Sequence, residues 1–254
     1  MTQTALHDRR VLVTGGSGGI GQAICRRLAA DGASIVVHYY RNETEAQALA
    51  AELTDAATRA VAIQADLRGE DGPRQLIKEA AAQLGPLNAL INNAAVQPIA
   101  SFGAISSDEV TQMLTTNLGG PFQLIQRFAA QVSADARASV VNIASIEGLR
   151  PARDHSHYAA SKAALIMLTR AAALELGKSG IRVNSVSPGL IDRVGLETDW
   201  PDGVARWKKN VPAGRLGTPH DVANACAFLI SGEAAFINAH NLVVDGGMQA
   251  TPGW

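Results

Sequence analysis

Short apolar runs alternate with longer amphipathic stretches along the whole chain. Runs such as Val11-Leu12-Val13 and Ile35-Val36-Val37 are brief and β-branched, which predicts strands rather than helices. Strands are expected at 11–14, 34–39, 60–64, 89–92, 139–144, 182–187 and 242–244. Most are continuous aliphatic runs, as in a sheet covered on both faces. Between them, alanine-rich segments repeat apolar residues at helical spacing, for example over 22–28, 46–53, 76–84, 111–130 and 159–176. Strand–helix alternation with right-handed crossovers predicts an α/β fold, a doubly wound Rossmann-type domain with a seven-stranded parallel sheet. One long stretch, 190–219, reads as irregular and carries glycine, proline and two of the three tryptophans.

Composition narrows the picture. A chain of 254 residues can bury one large core, so a single domain over 1–254 is expected. Aromatics make up only 4% of it, which leaves alanine and branched aliphatics to fill the interior. Lys plus Arg total 22 against 23 acidic residues, so no global field draws nucleic acid or a membrane surface. Residues 1–8 show no hydrophobic signal segment and no apolar run could span a bilayer, which predicts a cytoplasmic protein. Cys25 and Cys226 are too few for a disulfide framework and lack metal-site spacing; no metal is expected.

Two motifs carry chemistry. Thr14-Gly15-Gly16-Ser17-Gly18-Gly19-Ile20-Gly21 lies between the first strand and the first helix. A glycine-rich turn there lets backbone N–H groups approach a pyrophosphate, and the helix N-terminus adds partial positive charge. Tyr158 and Lys162 are four residues apart, on one face of a helix, with Ser145 upstream. An ammonium beside the phenol favours its ionised form. Reaching neutrality from a pKa of about 10 needs about 4 kcal/mol, of which the lysine supplies part and a cationic cofactor can supply more. By itself this spacing also occurs where a tyrosine merely packs on a lysine stem.

The glycine spacing, followed in order by Asn92-Asn93-Ala94-Ala95, Asn117, Ser145, Tyr158, Lys162, Pro188-Gly189 and Val244-Asp245-Gly246-Gly247, resembles the short-chain dehydrogenase/reductase family from about residue 8 to Gly247. The resemblance implies a hydride-transferring oxidoreductase acting on a small secondary alcohol or its ketone. Tyr158 would exchange a proton with the substrate oxygen and Ser145 would bind that oxygen. Lys162 would lower the tyrosine pKa and hold the ribose, and Asn117 would hold a water linking the lysine to solvent. Gly15, Ser17, Gly19, Ile20, Gly21, Asp66, Leu67, Asn93, Pro188, Gly189 and Ile191 would contact the cofactor, Asp66 at the adenine and Ile191 at the carboxamide.

Tyr39 stands where NAD-preferring relatives usually carry aspartate, and Arg41 follows two positions on. A guanidinium there suits a 2′-phosphate, although Gly18 replaces a basic residue frequent in NADP-dependent relatives. NADP is therefore favoured, with NAD as the alternative and Arg41 as a solvated loop charge the competing view. The 190–219 stretch would cover the substrate, with Trp200 and Trp207 either lining it or anchoring it. Arg193 reads more readily as an exposed salt-bridge partner than as an anion ligand, and His155 and His157 as solvated loop residues. Gly214–Pro219 resembles 3-oxoacyl thioester reductases, whereas the tail 247–254 and His157–Lys162 look like sugar dehydrogenases. Residues 131–137 are a thin candidate for a basic carrier-docking patch. A homotetramer is implied, although 236–241 departs from the usual Thr-Gly turn. A nucleotide-binding regulator without turnover is the alternative of another class.

Overall fold

The computed structural model describes residues 6–55, 58–133 and 137–251. The first five residues, positions 134–136 of the candidate docking patch and the tail residues 252–254 lie outside the described residues.

In chain order the elements are β1 (Arg10–Val13), α1 (Gly19–Ala30), β2 (Ser34–Tyr39), α2 (Glu43–Leu53), β3 (Ala60–Gln64), α3 (Asp71–Leu84), β4 (Ala89–Asn92), α4 (Ser107–Leu114), α5 (Gly120–Gln131) and β5 (Ala138–Ile143). They continue with α6 (Ser156–Leu176), β6 (Ile181–Pro188), α7 (Leu196–Asp199), α8 (Pro201–Asn210), α9 (Pro219–Ile230) and β7 (Asn241–Val244). The strands form one parallel sheet in the order β3-β2-β1-β4-β5-β6-β7. Strand order reverses between β1 and β4, which opens a crevice at their carboxyl ends.

Alternation along the strands sorts the core into two layers. Val11, Val13, Ile35 and Val37 pack with Ile24 and Leu28 of α1 and Val222 and Ile230 of α9. Leu12, Val36 and Leu90 pack with Leu76 of α3, Leu124 and Phe128 of α5 and Ala172 of α6. A polar bridge crosses the second layer: Asn92 Nδ2 donates to Asn142 Oδ1 at 2.8 Å, and Asn142 Nδ2 to Thr169 Oγ1 at 2.9 Å. It ties β4 and β5 to the helix that carries the tyrosine and lysine.

Several expected boundaries shift for identifiable reasons. β1 stops at Val13 because the chain turns left-handed at Gly15, with φ +62°. α2 begins at Glu43 and α3 at Asp71, upstream of the expected apolar starts. The helix expected over 111–130 is two helices, starting at a Ser106–Glu109 capping box and joined by a π-helical turn over Thr115–Gly119. The stretch expected to be irregular contains α7 and α8, which bury Leu196 and Val204 with Leu216 against Leu190 and Trp207. Pro201 at the first turn and Lys208-Lys209 in the last suit α8.

Candidate active site

The glycine turn is built around Gly15. Its left-handed φ suits glycine, and a Cβ there would crowd the Ala94 backbone at 3.0 Å. A Cβ on Gly21 would come within 2.1 Å of Gly15 O, so α1 can pack over the turn only with glycine there. Gly19 differs: a Cβ would meet nothing within 4 Å. Internal packing therefore does not require glycine at 19, and the missing side chain leaves the helix N-terminus open. Gly18 is the N-cap and makes no side-chain cap bond. Ser17 is buried and its carbonyl accepts from Gln22 Nε2 at 2.8 Å; Ile20 leans on the core.

Thr14 fastens the turn to β4. Its Oγ1 accepts from Asn93 N at 2.9 Å and Ala94 N at 3.0 Å, and Asn93 Nδ2 donates to Thr14 O and Gly15 O.

Beyond β5 the structure assembles the acid–base cluster. Ser145 follows the strand, and Tyr158 and Lys162 point from the first turns of α6; all three are buried. Ser145 favours the ionised form of the Tyr158 phenol, and Lys162 Nζ lies 5.6 Å from the centre of the tyrosine ring. The ammonium donates to Ile143 O at 2.8 Å.

Burial dominates the electrostatics of this cluster. Burial pushes the Tyr158 phenol up to about 12, Ser145 opposes this, and Glu147 adds to the rise. Burial also brings Lys162 down to about 8. Burial is the largest cause of both shifts, so the charge balance of the pair follows from its enclosure.

Asn117 sits in the π-helical turn rather than in a regular helix, and its amide is fully committed. Oδ1 accepts from Val96 N at 2.9 Å; Nδ2 donates to Val96 O at 2.9 Å and to Ser161 Oγ at 3.1 Å. This knits the chain after β4 to α6.

Over residues 15–249 the chain matches the family described as enoyl-(acyl carrier protein) reductase. It is 34% identical over 243 residues to a 3-oxoacyl-[acyl-carrier-protein] reductase of Staphylococcus epidermidis, covering 95% of this chain and 99% of the relative. It belongs to the short-chain dehydrogenase/reductase family. An L-rhamnose-1-dehydrogenase of Scheffersomyces stipitis is 33% identical over 249 residues, 96% of each chain. A blue fluorescent protein from a metagenomic library, solved in complex with NADPH, superposes with a TM-score of 0.88 at 36% identity, covering 94% of this chain and 96% of that one.

Beside Asp66, two arginines gather about Tyr40. Tyr39 itself is buried in the core. Tyr40, next along the chain, is exposed. Its ring lies 5.1 Å from the Arg41 guanidinium and 5.2 Å from that of Arg68, and Arg68 Nη2 donates to its hydroxyl at 2.6 Å. Arg68 also grips Asp66, with Nη2 2.6 Å from Oδ2, and so holds that carboxyl below its ordinary range. Leu67 between them is buried against Gly120. Arg68 escaped the sequence reading, although a cation two residues past Asp66 was the available signal.

At the other end, Pro188 closes β6 and Gly189 N donates to Val244 O at 3.0 Å. A Cβ on Gly189 would strike Asp245 and Trp207 at 2.9 Å. Ile191 forms a single parallel bridge with Gly217. Trp207 anchors α8, whereas Trp200 is half exposed. Arg193 pairs with Asp199 at 2.7 Å. The two histidines before Tyr158 are not solvated loop residues. His155 Nδ1 donates to both Glu147 oxygens at 3.0 and 2.9 Å, and His157 is buried in α6.

Proposed function

We propose that the protein is an NADP-dependent oxidoreductase that moves a hydride between nicotinamide and a small secondary alcohol or its ketone, with 3-oxoacyl thioesters the leading substrate class. The observation that carries this reading is the buried Ser145–Tyr158–Lys162 cluster beside the glycine turn. A nucleotide-binding regulator would have no use for such a cluster.

Bound nicotinamide supplies the hydride and, when oxidised, a positive charge near the phenol. Tyr158, protonated at neutral pH, gives its proton to the carbonyl oxygen in reduction and takes one in oxidation. Ser145 donates to the same oxygen as charge grows on it. Lys162, with a pKa near neutrality, binds the ribose hydroxyls and can restore the proton of Tyr158. The water link between Lys162 and solvent is assigned to Asn117, whose side chain is held by Val96 and Ser161. The Gly15–Gly21 turn and the first turn of α1 hold the pyrophosphate. Asp66 and Leu67 hold the adenine, Asn93 supports the turn, and Pro188, Gly189 and Ile191 receive the nicotinamide. Arg41 and Arg68, flanking Tyr40, suit a 2′-phosphate, and no carboxylate opposes it at position 39.

The relatives at about one third identity support two substrate classes. The test is a panel of 3-oxoacyl thioesters, simple ketones and sugars, read by absorbance of the reduced nicotinamide. Turnover of a thioester or ketone with NADPH is expected; a preference for an aldose with oxidised cofactor would move the assignment to sugar oxidation. Tyr158→Phe should bind cofactor as the wild type does while turnover falls about 100-fold or more. Retained turnover would remove the assigned proton donor.

The assembly proposed is a homotetramer. Leu114, Phe122, Met167 and Leu174 are exposed apolar side chains on α4, α5 and α6, and Phe236 is exposed just before β7. Among the described residues no helix is long and apolar enough to cross a membrane, and both cysteines are buried and unpaired. The reduced thiols support a cytoplasmic location.

A further inference from the structure

His38 belongs to no motif, yet it is a buried polar side chain in an otherwise apolar strand, and both of its ring nitrogens are engaged. Gly15 N donates to Nδ1 at 3.0 Å. Nε2 lies 3.1 Å from Ala65 O. The next amide of the turn, Gly16 N, donates to the His38 carbonyl at 2.9 Å. A backbone N–H can only donate and a backbone carbonyl can only accept, so these partners dictate one state: neutral imidazole with its proton on Nε2. A second proton on Nδ1 would set N–H against N–H.

Two distant parts of the crevice therefore meet on one ring. Gly15 opens the turn that the pyrophosphate site uses, and Ala65 immediately precedes Asp66 at the adenine end. We propose that His38 is a positioning residue of the dinucleotide site, fixing the Gly15–Gly16 turn through Nδ1 and the Ala65–Asp66 corner through Nε2 so that the two ends of the cofactor find their contacts at a set separation. This rests on the cleft taking NADP(H). Burial keeps the ring neutral, bringing its pKa down to about 4, so the required tautomer persists throughout the physiological range. His38 touches no reacting atom, and its effect is on cofactor affinity rather than on the chemical step.

The test compares wild type, His38→Leu and His38→Asn for NADPH affinity by fluorescence titration, for thermal stability, and for the split between KM for NADPH and kcat. Asparagine can offer an acceptor near the place of Nδ1, whereas leucine keeps bulk without one. His38→Leu should weaken NADPH about tenfold or more with kcat at saturating cofactor within about twofold of wild type. His38→Asn should recover affinity to within about threefold. Leucine binding NADPH as tightly as wild type, or asparagine binding as weakly as leucine, would overturn the proposal. If the leucine variant does not fold, the asparagine variant and the nitrogen spectrum of the wild-type imidazole decide; a proton found on Nδ1 refutes the arrangement outright. Wild type that binds no nicotinamide cofactor would refute the cofactor reading itself and this inference with it, whereas wild type that binds while leucine changes nothing refutes only the role of His38.

Discussion

Lys162 shows what a single side chain costs the fold. In the native protein its pKa is about 8, against an ordinary value of 10.5 in an unfolded chain. At pH 7 both states hold the proton, and the folded state does so at a penalty of about 3 kcal/mol. Between pH 8 and 10.5 the folded amine is neutral while the unfolded one is still charged, so the penalty fades and stability rises with pH. Lys162→Met removes the buried charge but leaves Ile143 O without its donor. A net gain of about 1 kcal/mol at pH 7 is expected, falling to zero at about pH 9 and turning into a net loss of about 1–2 kcal/mol by about pH 10, together with loss of activity. Thermal melts across that range check it, and a variant less stable at pH 7 would show that the charge is better accommodated than burial suggests. At the basic end, Arg41→Ala should weaken NADP about tenfold while changing NAD by no more than about threefold. Equal losses would mean that Arg41 is a spectator. The Tyr158–Lys162 pair stood out only in company with the glycine turn, Ser145 and the ordered motifs, and the balance of charge was not legible at all. Burial depends on β5, α6 and the segment around Asn117 closing over the pair, and a four-residue spacing carries no information about that. His38 was hidden for a similar reason, since its partners lie 23 and 27 residues away in the chain, as was the contact of Arg68 with Tyr40, 28 residues away.

Among elements, the strand-to-helix unit β1–α1 separates two uses of glycine. Gly21→Ala would drive a Cβ into Gly15 O, so the turn must open; lower melting temperature and lost cofactor binding are expected together. Gly19→Ala has room for its methyl and should fold as wild type, yet bind NADPH about tenfold or more weakly because the methyl stands where phosphate would approach. Calorimetry beside a binding titration separates the two, and a Gly19→Ala variant with native affinity would place the phosphates elsewhere. Strand positions followed from short aliphatic runs, because a sheet buried on both faces leaves a strong trace, whereas their order across the sheet is a matter of long-range packing. The π-helical turn left none: Thr115–Gly119 continues the helical spacing, and the extra residue is absorbed where Asn117 must reach Val96 and Ser161 at once. α7 and α8 were overlooked because a cluster of only Leu196, Val204 and Leu216 gives too few apolar positions to set a period.

At the scale of the whole molecule, α6 is apolar on both sides. Leu165, Ile166 and Ala172 face the core, whereas Met167 and Leu174 are exposed. A helix hydrophobic all round demands a second covering, which a further subunit would provide. Leu174→Glu should shift the sedimentation coefficient toward smaller species at micromolar concentration without unfolding the subunit, and a wild-type monomer would rule out the tetramer. The segment that follows β6 has a different kind of independence. Gly217 N donates to Leu190 O at 3.0 Å and Asp192 N to Gly217 O at 2.8 Å, so the excursion leaves and rejoins the body at one pinned neck. Since its ends are already closed, a change in its length adds little loop-closure entropy, whereas its contents do bear on the body: Trp207 packs on Gly189 and Ala213 N donates to Gly246 O at 3.0 Å. If residues 193–216 cover the substrate, as the family resemblance implies, transplanting that piece from a relative with another appetite should alter specificity only where Trp207 and Ala213 keep these contacts.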